Sequence, residues 1–221
     1  SPFQEQLKRY ADLPLRQVGK NISDSRRVAL IRELKGYETV IVSLHGFSKY
    51  PPYGLTEETI RFVTDLSAFT RVVLVHFGNP YTLGHFDAVD WVLEAYEEDA
   101  MMQRLAAQAL FGAVAIDGRL PVNVSPRARF NQGVRTRRDH RFGYALPERS
   151  GLNSETLGEI EAIAREAIAA RATPGCVVLA AKDGRVVYER AFGYHTYAKK
   201  RPVETGDIYD LASITKIAAT T

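Results

Sequence analysis

Ser213 and Lys216 stand three residues apart in Asp210-Leu-Ala-Ser-Ile-Thr-Lys-Ile-Ala-Ala219. On a helix that spacing puts both side chains on one face, a turn apart. A serine hydroxyl is a weak nucleophile and needs a base within hydrogen-bond reach. A lysine amine serves as that base where burial lowers its pKa enough to keep it neutral. The head of a helix adds free backbone N–H groups and a dipole, both favouring developing negative charge. The pair therefore reads as a nucleophile and its proton acceptor for acyl transfer. A second reading stands beside it: Ser213 caps the helix and Lys216 is a solvated surface residue. Spacing alone does not separate the two.

The elements that must position this pair belong to a chain of 221 residues, enough for one large domain or two modest ones. A content of 45% hydrophobic and 25% charged residues is that of a soluble globular protein. The formal net charge of +3 is too mild to argue for nucleic acid. One cysteine, Cys176, excludes an internal disulfide framework, and its apolar run reads as core. No apolar run reaches the roughly 18 residues of a membrane span. The first residues lack the charged and apolar regions of a signal peptide. The chain opens without Met and stops inside a helical pattern at Ala218-Ala-Thr-Thr221, so it is expected to be a piece of a longer polypeptide.

Along the first half, apolar spacing predicts a helix over 25–35, stopped by Gly36. Thr39-Val-Ile-Val-Ser-Leu44 reads as a strand buried on both faces. A Gly- and Pro-rich loop, 45–54, follows, and Thr56 opens a second helix. Arg71 to Phe77 reads as a strand, broken by Gly78-Asn-Pro80, with a short helix through Leu83 and Phe86. A third strand is expected over 90–96, a strong helix over 97–111, and a further short strand after Gly118. Alternating strands and helices of this length imply a largely parallel sheet with helices on both faces, an α/β fold. Ligands in such folds sit beyond the carboxyl ends of the strands, where His45, the loop Phe47–Gly54, His76 with Gly78-Asn-Pro80, and Glu97-Glu98 lie. His45 reads either as a ligand-facing group or as structural, His76 as a core histidine, and Glu97-Glu-Asp99 as the acidic first turn of a helix. No glycine-rich phosphate loop of either standard type is present, and no cofactor or metal site is expected.

Three segments, Val73-Leu-Val-His-Phe-Gly-Asn-Pro-Tyr-Thr-Leu83, Ala95-Tyr-Glu-Glu98 and Ala107-Gln-Ala-Leu-Phe-Gly-Ala-Val-Ala-Ile-Asp-Gly-Arg-Leu-Pro-Val122, carry a family likeness. Residues 20–125 resemble the C-terminal α/β domain of glycoside hydrolase family 3, its β-N-acetylglucosaminidase branch above all. The resemblance implies hydrolysis of β-N-acetylhexosaminides by the whole enzyme. In that family the nucleophilic aspartate lies on a preceding barrel domain, which these residues do not contain, so no residue here inherits that catalysis.

Residues 123–149, with seven arginines and little periodicity, read as an interdomain linker. Its cluster Arg135-Thr-Arg-Arg-Asp-His-Arg141 reads as solvated or paired with acids of the flanking domains, with contact to an anionic surface as the alternative. Ser154 is expected to cap an amphipathic helix over 154–170. Two β-rich runs around Asp183-Gly184 predict a tight hairpin. Then come Phe192-Gly-Tyr194, a loop through Pro202-Val-Glu-Thr-Gly-Asp207, and the Ser213 segment.

That order of helix, Pro-Gly, hairpin, Phe-Gly-Tyr and Tyr-Asp-Leu-Ala-Ser-x-Thr-Lys is similar to the N-terminal part of the serine β-lactamase and penicillin-binding-protein-like hydrolases, over about 150–221. The resemblance implies that Ser213 forms the acyl-enzyme and Lys216 takes its proton. The Ser213 backbone N–H would be half of an oxyanion hole. The family's Tyr-x-Asn motif and its Lys-Thr-Gly or His-x-Gly strand are not among these residues. The expected organisation is then a family 3-like α/β domain (1–125), a linker (126–149) and the start of an α+β serine hydrolase (150–221). Glycan or peptide substrates, the barrel domain and the rest of the hydrolase would be its partners, and the cell envelope its compartment by resemblance. The alternative is a non-catalytic module binding a carbohydrate or a protein partner, with a degenerate hydrolase scaffold.

Overall fold

The computed structural model describes residues 1–139, 141–210 and 212–214, and divides into two compact units, Ser1–Arg141 and Phe142–Thr221. In the first unit, β1 (Thr39–Leu44), β2 (Arg71–His76) and β3 (Trp91–Glu94) form a parallel sheet in that order. Thr39 lies opposite Arg71 and Val73 opposite Trp91. Successive side chains point to opposite faces, and both faces are apolar. Val72 and Leu74 join a core with α2 (Asp24–Leu34) and α3 (Glu57–Ser67). Val75 and Phe77, with Ile41 and Leu93 against them, join a second core with α1 (Pro2–Lys8) and α4 (Ala100–Leu110). The fold is therefore α/β, a parallel sheet with helices on both faces.

Local chemistry explains most of the boundaries. Ser23, Thr56 and Asp99 cap α2, α3 and α4 by accepting bonds from free first-turn amides. Helix α1 was not expected. Its signature is a capping box, Ser1 with Gln4, and Pro2 at the first turn. The third strand is shorter than expected because Tyr96 turns the chain at φ 62°. The helix expected from Glu97 starts at Ala100 instead. Asp99 is its cap, so Glu97 and Glu98 precede it and do not form its first turn.

The short strand expected after Gly118 is not formed: no residue of 118–124 is in a strand. That stretch runs against the arginine-rich one, with Leu120 N donating to Gln132 O (2.8 Å) and Asn131 N to Leu120 O (2.8 Å). Thr136 N donates to Ile116 O (2.8 Å) and Asp139 N to Gly112 O (2.7 Å). Arg127 reaches Asp90 (3.2 Å). The residues read as a linker up to Arg141 thus carry bonds within the first unit.

In the second unit, β5 (Gly175–Lys182) and β6 (Arg185–Gly193) form the expected antiparallel hairpin. Asp183 and Gly184 both hold positive φ (53° and 66°), the twist a two-residue turn needs. A short β4 (Gly143–Tyr144) adds in parallel to β6. The pairing slips between Ala180 and Ala181, so that Val187 is passed over and Val186 and Val187 are both buried. Helix α5 (Ser154–Ala169) is capped by Asn153 rather than Ser154, since the Asn153 side chain accepts from Thr156 N. Ile163, expected on its apolar face, is 65% exposed. Cys176, expected in the core, is half-buried opposite Phe192.

Candidate functional site

In the second unit, one carboxylate organises the loop between β6 and the Ser213 segment. Asp207, with a side chain only 6% exposed, accepts from Glu204 N (2.7 Å), meets His195 Nε2 (2.8 Å) and pairs with Arg201 (2.6 Å). The Glu204 amide, then the His195 and Arg201 contacts, hold its pKa below the ordinary aspartate value of 3.8. A depressed carboxylate pKa adds stability that is complete above the unfolded value and is lost as pH falls through the folded one. Amide hydrogen exchange across 194–207 is therefore expected to speed up as pH drops below about 4, beyond the intrinsic pH dependence of exchange. Asp207→Asn should show that faster exchange already at neutral pH.

Beyond this loop, Asp210 Oδ1 accepts from Ala212 N (2.9 Å) and starts a single 3₁₀ turn, Ala212–Ile214. Ser213 is the middle residue of that turn. Its side chain, Lys216 and the helix expected to carry both lie outside the described residues.

In the first unit, the carboxyl ends of β1 and β2 each present a histidine. His76 is fully buried, with Nδ1 2.7 Å from Glu94 Oε2 and Nε2 2.7 Å from Thr82 Oγ1. Both ring nitrogens are satisfied, so it is the core histidine expected. Phe47 packs on its ring at 4.5 Å between centroids. Phe47 also lies so close to Gly78 that a Cβ there would stand 2.4 Å from the ring. Gly78→Ala is expected to push Phe47 off His76 and to lower stability by about 1–3 kcal/mol, the usual cost of overpacking, read as a thermal shift.

His45 is different: its side chain is 29% exposed and sits in a hydrogen-bonded row. Nε2 lies 3.0 Å from Ser43 Oγ and Nδ1 3.2 Å from Glu98 Oε1. The other Glu98 oxygen accepts from Gly46 N (2.6 Å). Gln103 Nε2 donates to the Glu98 carbonyl (2.8 Å) and so holds that residue from α4. The His45 ring stacks on Phe77 at 4.9 Å. Burial pushes its pKa below the ordinary 6.5, against the opposite pull of Glu98, so the imidazole is mainly neutral at pH 7. The loop after it is tied by Lys20, whose Nζ donates to the carbonyls of Gly46 and Gly54. Ser43, His45, Glu98 and Lys20 all line a cavity of about 700 Å³ beside β1.

The sequence placed His45 and Glu98 at the same end of the sheet, but not Ser43 with them. Ser43 and His45 are two residues apart at a strand end, a spacing that puts both on one face. That signal was available. The contact between His45 and Glu98 was not, because only the fold joins them across 53 positions.

Comparison with known families matches residues 160–221 to the family model described as Beta-lactamase. The match takes in most of α5, the β5–β6 hairpin and the Ser213–Lys216 segment, and supports a hydrolase of the serine type for that stretch. It does not reach the first unit. No curated protein and no solved structure matches the chain. No helix among the described residues is long and apolar enough to cross a membrane.

Proposed function

We propose that residues 150–221 begin a Ser-x-x-Lys hydrolase working through an acyl-enzyme on Ser213, with Lys216 as proton acceptor. The observation that carries this is the Beta-lactamase match over 160–221, which contains both residues at the required spacing. The hairpin turn at Asp183-Gly184 and the 3₁₀ turn at Ser213 agree with the order of elements that the resemblance implies. In this reading the first unit is a family 3-like α/β domain, accessory to a glycosidase acting on β-N-acetylhexosaminides. Its support is the quoted segments of 73–122 and the parallel sheet with loops at its carboxyl end. Together the two chemistries suit cell-wall glycopeptide. The barrel nucleophile and the later hydrolase motifs are not among these 221 residues, so these residues alone should turn over neither an aryl N-acetylglucosaminide nor a chromogenic β-lactam.

The test is to incubate the natural polypeptide with a fluorescent penicillin and with an activated ester, then to locate any adduct by peptide mass spectrometry. An acyl group on Ser213 is the expected result. A folded polypeptide that takes no acyl group there from either reagent would overturn the proposal and leave Ser213 as a cap.

A further inference from the structure

We propose that Ser43, His45 and Glu98 form a separate ester-hydrolysing site, opening on the cavity beside β1 and taking esters with an apolar acyl group. The geometry is that of a nucleophile, its base and a positioning residue. Glu98 as a carboxylate can only accept, so His45 carries its proton on Nδ1 and leaves Nε2 free to accept from the Ser43 hydroxyl 3.0 Å away. Burial keeps the imidazole neutral at pH 7, the state a base needs. Glu98 is fixed in turn by Gly46 N on one carboxylate oxygen and by Gln103 on its own backbone carbonyl.

The strand supplies a donor for the developing oxyanion. Leu44 O accepts from Phe77 N and Glu38 O accepts from Arg71 N, so even-numbered residues of this stretch face β2. In a parallel ladder both backbone groups of a residue point the same way, and alternate residues point to opposite edges. The Ser43 N–H therefore points to the outer edge of β1, with which no strand pairs among the described residues. That edge borders the cavity, where Phe3, Leu7, Leu13 and Ile41, on the same face of the sheet as Ser43, offer an apolar lining for an acyl chain.

In the reaction, a Ser43 Oγ lone pair forms the bond to the ester carbonyl carbon, the carbonyl π electrons move to oxygen, and the hydroxyl proton passes to His45 Nε2. Collapse of the tetrahedral species expels the alkoxide, which takes that proton and leaves as the alcohol. Water then adds to the acyl-serine, giving a proton to Nε2. Ser43 Oγ departs with that proton and the carboxylic acid is released. Glu98 holds the ring in place throughout.

The experiment treats the full chain with a fluorophosphonate and maps the adduct by peptide mass spectrometry, alongside turnover of 4-nitrophenyl butyrate and octanoate. The expected result is an adduct on the peptide holding Ser43, with labelling slowed by about 10²-fold or more in His45→Gln, the usual share of a general base. Glu98→Gln should slow it too, because the amide can donate to Nδ1 and turn the Nδ1 proton toward the wrong nitrogen. Thermal melts of each variant establish that it is folded. A folded wild-type chain with no adduct on Ser43, or His45→Gln labelling at the wild-type rate, overturns the proposal. An adduct on Ser213 alone does so as well while sustaining the reading of the second unit, so the two fail separately.

Discussion

Replacing Lys216 by methionine is expected to slow acylation of Ser213 in the natural polypeptide by roughly 10²–10⁴-fold, the range a positioned proton acceptor contributes. Methionine keeps most of the side-chain length and the apolar stem and removes the amine. The hydroxyl would then have to lose its proton to water, and a serine without an adjacent base is a poor nucleophile. Penicillin binding before acylation should change far less, because the lost interaction forms only in the transition state. The measurement is the second-order rate of covalent labelling against penicillin concentration. A methionine variant that acylates at the wild-type rate would mean that Lys216 is a surface residue. Ser213→Ala should remove the adduct altogether, since no oxygen remains to carry it.

The second large effect concerns the buried histidine. His76→Leu is expected to destabilise the first unit by about 2–3 kcal/mol, the cost of leaving buried polar groups without a partner. Leucine fills a similar space, so the loss is mostly polar. Glu94, 10% exposed, loses the 2.7 Å contact on Oε2 and keeps only the Tyr96 amide on Oε1. Thr82 keeps its bond to Asn79 O and loses its ring partner. Glu94→Gln should cost less, because a neutral acceptor remains in place. The single tryptophan, Trp91, lies on β3 three residues before Glu94, so its fluorescence reports the unfolding of this unit. A shift of roughly 2–4 °C per kcal/mol is expected for a unit of this size. A melting temperature unchanged in His76→Leu would show the network to be energetically idle.

How much of this was readable from the sequence depends on the distance over which each signal acts. Thr39–Leu44 and the Asp183-Gly184 turn were read to the residue, because β-branched runs and positive-φ turns are decided locally. Thr56 was read as the opening of α3 for the same reason. The missed cap at Asn153 is a one-residue choice between two good capping types, settled by Glu148, which holds Ser154 N instead (3.1 Å). The acidic run at 97–99 was misread because composition cannot tell a first turn from the residues just before it. Tyr96 at positive φ decided that, and a tyrosine gives no warning of it. The Ser43–His45 spacing was legible, and so was the placing of Glu98 at the strand ends, but the contact of Glu98 with His45 was not, since it spans the sheet end. The arginine-rich stretch read as a linker because its bonds run through backbone groups, which leave no periodicity in the side chains.

The slip in pairing along β6 bears on how that strand tolerates change. A strand with one wet face accepts almost anything at every second position. Past the slip, Val186 and Val187 are consecutive and both buried, so the rhythm skips a beat there. In a saturation library of this segment, two adjacent columns should be depleted of polar residues where a regular strand would show one. Deleting Val187 would put the flanking residues back in step and restore the ordinary alternation. That single-codon deletion is the variant in such a library whose survival would be hardest to foresee from substitutions alone.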